Sequence, residues 1–200
     1  MKITKYIIWL VTAFAVVYPL WVRSQSVYWA PSSFIATIFP FLGILAFTLL
    51  WTHSICGVFE SWLQKYINMD LYVAITAKII LLCIILHPLL ALVTVNFNLS
   101  NLYLAYGFLF IELGAIGWTL LIIYDVAKPF LKYEAVKKQW NNILTISTVG
   151  FIIIFFHSLF IGSDLQTGFL RTLWIFYGVT GILATVYTYG IKRFLFKKPS

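Results

Sequence analysis

The chain has 200 residues, of which 62% are hydrophobic and only 10% are charged. A soluble domain keeps about a quarter of its residues charged, so this composition excludes an ordinary soluble fold. A net charge of +8 is also typical of nucleic-acid-binding proteins. The positions of the basic residues along the chain, described below, favour a different explanation. The composition predicts an all-α integral membrane protein.

Hydropathy predicts six membrane-spanning helices joined by short polar links. In chain order they cover residues 6–22, 34–55, 71–95, 102–124, 142–162 and 170–191. No small-x-small cleavage site follows the first span, so we expect a retained helix and not a signal peptide. Tryptophans gather at the span ends, as in an interfacial belt. No internal repeat is evident, and residues 1–200 are expected to form one domain, a six-helix bundle.

Lysine and arginine positions predict the orientation of the bundle. Two arginines, Arg23 and Arg171, fall on one side of the predicted membrane. Eleven basic residues fall on the other side: Lys2, Lys5, Lys65, Lys128, Lys132, Lys137, Lys138, Lys192, Arg193, Lys197 and Lys198. By the positive-inside rule both termini are cytoplasmic, and we expect a bacterial cytoplasmic membrane. The basic excess then reflects topology and contact with membrane lipid, and no nucleic-acid partner is expected.

Two histidines inside long apolar runs are the main candidate functional residues. His87 lies 17 residues after Asp70, and His157 lies 17 residues after Trp140, where polar loops give way to spans three and five. At about 1.5 Å per residue, both imidazoles come about 25 Å across a core about 30 Å thick, in the outer leaflet. Two imidazoles at matched depth on two helices suit the axial positions of one membrane-embedded b-type haem.

Other interpretations of these residues are weaker. An intramembrane histidine can simply hydrogen-bond to a neighbouring helix, and this alternative stays open. Zinc needs three or four ligands, and the sequence offers no such cluster. Cys56 and Cys83 form no CxxC pair, so they are interpreted as small buried hydrophobic residues.

The segments around the two histidines resemble the ferric reductase-like transmembrane domain family. Span three ends with IILHPLLAL at residues 84–92, and span five carries IIIFFHSLFIGSDLQTGFLRTLW at residues 152–174. The family includes ferric reductases, NADPH oxidases and the haem-binding membrane subunit of the methionine sulfoxide reductase system. The resemblance covers spans two to six. It implies a six-helix bundle that transfers electrons toward an outer acceptor, with His87 and His157 as axial ligands of an outer b-type haem.

The chain also departs from the family pattern. Members with two haems carry a second histidine earlier on each of the same two helices, where this chain has Val73 and Leu144. Neither residue can bind iron, so the inner haem is expected to be absent. We expect no flavin or nicotinamide domain after span six, and we expect the electron donor to be a separate flavoprotein reductase or a quinone. The rival interpretation is a haem-less degenerate homologue that acts as a membrane scaffold or assembly partner.

Three further polar residues are secondary candidates. Arg171 opens span six, where it could bind a haem propionate or a lipid headgroup. Ser158 flanks the same site, although a bond to a carbonyl of its own helix is the favoured interpretation. His53 is expected near the cytoplasmic end of span two, either as an interfacial histidine or as a contact for an inner cofactor.

Lys78 and Glu112 are the clear charges within the predicted spans. Lys78 lies about two turns into span three, and Glu112 is expected near the middle of span four. A charge at such depth costs about 2.5–3.5 kcal/mol even on the lenient insertion scale. The two are predicted either to form an ion pair in the space of an inner haem, or to remain separate, with Lys78 snorkelling and Glu112 protonated.

Overall fold

A computed structural model describes residues 2–26, 34–162 and 165–192, and all regular structure in these ranges is helical. The helices are α1 Lys2–Ser26, α2 Phe34–Val58, α3 Glu60–Leu63, α4 Met69–Thr94, α5 Leu99–Tyr106, α6 Phe108–Ala127, α7 Glu134–Ile161 and α8 Gly168–Thr185. A 3-10 turn over Lys128–Phe130 extends α6, and a π-helical segment over Val186–Ile191 extends α8.

Six helices in the described part of the chain are long and apolar enough to cross a membrane. They are α1, α2, α4, α7, α6 with its 3-10 turn, and α8 with its π-helical segment. Large apolar side chains such as Leu10 and Leu109 are well exposed, as lipid-facing residues of a membrane helix are. Helices satisfy their own backbone hydrogen bonds, which a hydrocarbon environment requires. The predicted all-α, six-span integral membrane protein is confirmed.

The fourth span begins later than the sequence predicts. The structure starts this span at Phe108 and ends it at Phe130, whereas hydropathy places it at residues 102–124. Gly107 has a φ of +83°, which ends α5, and α6 starts at the next residue. Glycine adopts this backbone region without strain, so it separates two helices that look continuous in hydropathy. Glu112 therefore lies in the second turn of α6, and its predicted position near the middle of the span is wrong.

The chain forms two compact units. Unit 1 comprises residues 1–91 and 172–200, and unit 2 comprises residues 92–171. Unit 1 thus contains α1, α2, α3, most of α4 and most of α8, and unit 2 contains α5, α6 and α7.

In unit 1, aromatic contacts join α2 to α8. The ring of Phe47 stacks on Trp174 with centroids 4.5 Å apart, and the ring of Trp51 stacks on Tyr177 at 4.2 Å. The hydroxyl of Tyr177 donates to the backbone oxygen of Ala15 on α1 at 2.9 Å. Offset aromatic pairs of this kind add about 0.5–1.5 kcal/mol beyond the apolar area that they bury. The stacks and the hydrogen bond hold α1, α2 and α8 together.

In unit 2, the antiparallel helices α6 and α7 approach each other through glycine. A Cβ atom on Gly150 of α7 would lie 2.9 Å from the backbone nitrogen of Leu121 and 3.0 Å from the backbone oxygen of Gly117, both on α6. Small residues allow this close backbone approach in membrane bundles. The register of the pair places Gly114 of α6 opposite His157 of α7.

Candidate functional site

His87 on α4 is bound through one ring nitrogen to the backbone of α2. Its Nδ1 lies 2.7 Å from the backbone oxygen of Phe39. A carbonyl oxygen can only accept, so Nδ1 carries the proton. The neutral imidazole then has its lone pair on Nε2, the nitrogen through which it can bind a metal ion.

A glycine on α2 makes room for the imidazole of His87. Gly43 follows Phe39 by one helical turn on α2, and a Cβ atom there would lie 2.9 Å from Cε1 of His87 and 3.1 Å from Nδ1. Real Cβ atoms essentially never come within 3.0 Å of another atom, so the first of these contacts is excluded. The imidazole of His87 therefore lies against the α2 backbone, at the place where a side chain on residue 43 would be.

His157 has the same arrangement within unit 2. Its Nδ1 lies 2.7 Å from the backbone oxygen of Phe110 on α6, so this ring too is protonated on Nδ1 and has its lone pair on Nε2. Gly114 follows Phe110 by one turn, and a Cβ atom there would overlap Cε1 of His157 and lie 2.6 Å from Nδ1. The two candidate histidines thus share acceptor type, proton position and glycine contact.

The two arrangements form a repeat that the sequence analysis missed. Each consists of a Phe-x-x-x-Gly segment on one helix and a histidine on a following helix, 44 residues after Gly43 and 43 residues after Gly114. The sequence analysis did not find this arrangement because the shared letters are few and lie in an apolar background. The usable signal would have been the similar distance from glycine to histidine.

The side chains that can bind metal limit the choice between a bare metal ion and a haem. No three His, Cys, Asp or Glu side chains come together within residues 2–26, 34–162 and 165–192 as a cluster for a metal ion. Two neutral imidazoles, each oriented by a carbonyl, match the axial donor set of a haem, whose porphyrin supplies the other four ligands. His87 belongs to unit 1 and His157 to unit 2, so their binding to one haem stays a prediction.

Ser158 and Arg171 both bond to nearby backbone. The hydroxyl of Ser158 donates to the oxygen of Phe155 at 2.8 Å, in agreement with the favoured interpretation of a bond within its own helix. Nη1 of Arg171 donates to the oxygen of Leu165 at 2.8 Å, just before α8. Binding of a propionate by Arg171 stays a prediction. Ser163 and Asp164, which belong to the turn in the family resemblance, lie outside the described residues.

His53 belongs to a hydrogen-bonded cluster between α2 and α4. Its Nε2 lies 2.5 Å from the hydroxyl oxygen of Thr76, which donates its own proton to the oxygen of Tyr72. Nε2 of His53 must therefore be the donor to Thr76. One turn away, the Tyr72 hydroxyl lies 2.7 Å from the hydroxyl of Thr52. Sequence reasoning missed these partners because isolated Thr and Tyr residues in a span carry no sign of their pairing.

Glu112 has a partner close in sequence. The hydroxyl of Tyr103 on α5 donates to Oε1 of Glu112 at 2.7 Å and bridges the break at Gly107. This hydrogen bond raises the pKa of the Tyr103 phenol above its ordinary value, and loss of solvent and the charge of Glu112 act in the same direction. The alternative partner, Lys78, belongs to unit 1, and the ion pair stays a prediction.

The Tyr103–Glu112 bond predicts a stability difference that depends on pH. We expect wild type to be more stable than Tyr103→Phe at about pH 8 and to lose this advantage as pH rises above about 10, the ordinary tyrosine pKa. The sign follows because the folded state holds the phenolic proton to higher pH than the unfolded chain does. Thermal unfolding of both proteins in detergent at about pH 8 and pH 11 would measure the difference. An advantage that is constant or grows with pH would contradict the prediction.

Comparison with known proteins assigns the chain to no family. No protein-family model, curated protein or solved structure matches the chain.

Proposed function

We propose that this integral membrane protein binds one b-type haem through His87 and His157 and transfers electrons toward an acceptor on the outer face of the membrane. One observation carries the proposal: both half-buried imidazoles donate Nδ1–H to a backbone carbonyl at 2.7 Å. Histidines that bind metal through Nε2 almost always direct the other ring N–H to a carbonyl, a carboxylate or water.

A histidine with a purely structural role can also donate to a carbonyl. The proposal is favoured because the same arrangement occurs twice, with the same nitrogen, the same type of acceptor and a glycine at the same position. A purely structural histidine can use either ring nitrogen and many kinds of acceptor, so a structural role does not by itself require the same nitrogen and the same type of acceptor at both positions. Two equivalent axial donors are what bis-histidine haem coordination needs.

Each part of the chain has a limited role in this proposal. A bound b-type haem would supply one-electron redox chemistry. The carbonyls of Phe39 and Phe110 fix the ring orientation and increase the basicity of each imidazole. Arg171, which bonds to the oxygen of Leu165, is proposed to pair with a propionate, because a guanidinium binds a carboxylate strongly.

The proposal includes one haem only, because Val73 and Leu144 can offer no ligand for a second. The resemblance to the ferric reductase-like transmembrane domain supports electron transfer as the activity. By the positive-inside rule, we propose cytoplasmic termini and a bacterial inner membrane. The donor would be a separate flavoprotein or a quinone, and the acceptor could be ferric iron, oxygen, a quinone or a partner oxidoreductase.

The test is spectroscopic. We expect the protein, purified in detergent from cells supplied with a haem precursor, to show a Soret band and a reducible α band of b-type haem. A pyridine haemochrome assay should give one haem per chain. No Soret band, either after purification or after titration with haemin, would contradict the proposal and favour the haem-less scaffold.

A further inference from the structure

We infer that the chain carries one imidazole-orienting module twice, and that the glycine of each module is a positioning residue that fixes which ring nitrogen can bind metal. The modules are Phe39, Gly43 and His87 in unit 1, and Phe110, Gly114 and His157 in unit 2. The inference deepens the proposed function. Its redox consequence depends on that function, whereas the positions of the ring protons do not.

Helix geometry explains why the module needs a glycine. In an α-helix the carbonyl of residue i accepts from the N–H of residue i+4, so the Phe39 oxygen points toward Gly43. A side chain on residue 43 would cover the space beside that oxygen. Because glycine leaves the space open, the imidazole of the neighbouring helix reaches the second lone pair of the same oxygen. His87 makes this contact at 2.7 Å.

The second module repeats this geometry on different helices. The Phe110 oxygen points toward Gly114 on α6, and His157 of α7 lies over the glycine with its Nδ1 2.7 Å from that oxygen. Nearby glycines do not share the role: a Cβ on Gly117 would lie 2.8 Å from the Ile154 side chain, and a Cβ on Gly57 of α2 would lie 3.8 Å from Thr188. A Cβ atom on Gly43 or Gly114 would have imidazole atoms as its nearest neighbours, whereas a Cβ atom on Gly57, Gly107, Gly117, Gly150 or Gly162 would not.

Alanine at either position should turn the ring away from its carbonyl. The new methyl group would lie 2.9 Å from Cε1 of His87, or would overlap Cε1 of His157, and the histidine side chain is the part that can move. Nδ1 then loses its acceptor, and the preference for a proton on Nδ1 is lost with it. In a haem-loaded protein, the imidazole would become a weaker donor and the reduction potential would rise.

The first test needs no haem. We expect ¹⁵N NMR of the full-length, histidine-labelled protein in detergent to show His87 and His157 protonated on Nδ1. Gly43→Ala should change only the His87 signals, and Gly114→Ala only the His157 signals. His87→Gln and His157→Gln assign the resonances. A proton on Nε2 of either histidine in wild type overturns the inference, whether or not the alanine variants fold.

Matched controls separate positioning from packing. Gly117→Ala adds a methyl group to the same α6–α7 contact as Gly114→Ala, but that group meets the side chain of Ile154, which can rotate away, so the helices need not separate. Gly57→Ala adds a methyl group to α2 in ordinary van der Waals contact. Both should keep the wild-type histidine signals. If Gly117→Ala changes His157 as much as Gly114→Ala does, the effect is general packing and the inference is wrong.

Haem loading provides a second readout. We expect the reduction potential to rise in Gly43→Ala and Gly114→Ala and to stay at the wild-type value in the two control variants. If haem binds but the potentials and proton positions are unchanged, the positioning role fails and the proposed function stands. If the proton positions respond as expected but no haem binds, the positioning role stands and the proposed function fails.

Discussion

Replacing His157 or His87 with alanine is expected to abolish the low-spin b-type haem spectrum. Each replacement removes one of the two proposed haem ligands, and the remaining histidine cannot replace it. Loss of an outer-shell partner alone costs about 10–100-fold in metal affinity, so loss of a ligand should lower haem affinity by at least about 100-fold. Haem per chain, measured by pyridine haemochrome on purified variants and by haemin titration, tests the prediction.

The matched control for these variants is His53→Ala. Nε2 of His53 donates to Thr76, which is the reverse of the proton position in the two candidate ligands, so this variant should keep the wild-type Soret band. The cavity variant His157→Gly should regain a six-coordinate spectrum when free imidazole is added. A full complement of haem in either alanine variant, or loss of haem only in His53→Ala, would contradict the proposed ligands.

Hydropathy predicts the six spans because lipid imposes one demand, about 20 apolar residues per helix, that local composition reveals. It fails at residues 102–106, where the side chains are as apolar as those of a span. The end of α5 depends on a single backbone angle at Gly107. Such an angle leaves no trace in average hydrophobicity. The glycine itself is the only sign in the sequence that α5 ends here, and most glycines in membrane helices do not end a helix.

The candidate site was predictable in part for a similar reason. His87 and His157 are visible in the sequence because polar residues are rare in apolar runs. Their acceptors are backbone carbonyls, which every residue has, so no letter of the sequence marks Phe39 or Phe110. The cluster of His53, Thr76 and Tyr72 depends on the register between α2 and α4, which only packing determines. Sequence thus locates the unusual side chains, and the structure supplies their partners.

Replacing Gly150 with alanine is expected to destabilise unit 2 and to weaken the His157 site from seven residues away. The new methyl group would lie 2.9 Å from the backbone nitrogen of Leu121 and 3.0 Å from the backbone oxygen of Gly117. Backbone atoms cannot rotate away as a side chain can, so α6 and α7 must separate. Overpacking of this kind costs about 1–3 kcal/mol, and leucine at the same position should cost more.

Denaturant unfolding in detergent, followed by near-ultraviolet circular dichroism, would measure this loss. The matched control is Gly190→Ala, because a Cβ atom there meets nothing within 4 Å. Separation of α6 from α7 also lengthens the bond from His157 to Phe110, so the ¹⁵N signals of His157 should change while those of His87, in unit 1, should not. Equal unfolding midpoints for Gly150→Ala and wild type would show that α6 and α7 are not in backbone contact at this glycine. A change in His87 as large as that in His157 would show that the two modules do not respond independently.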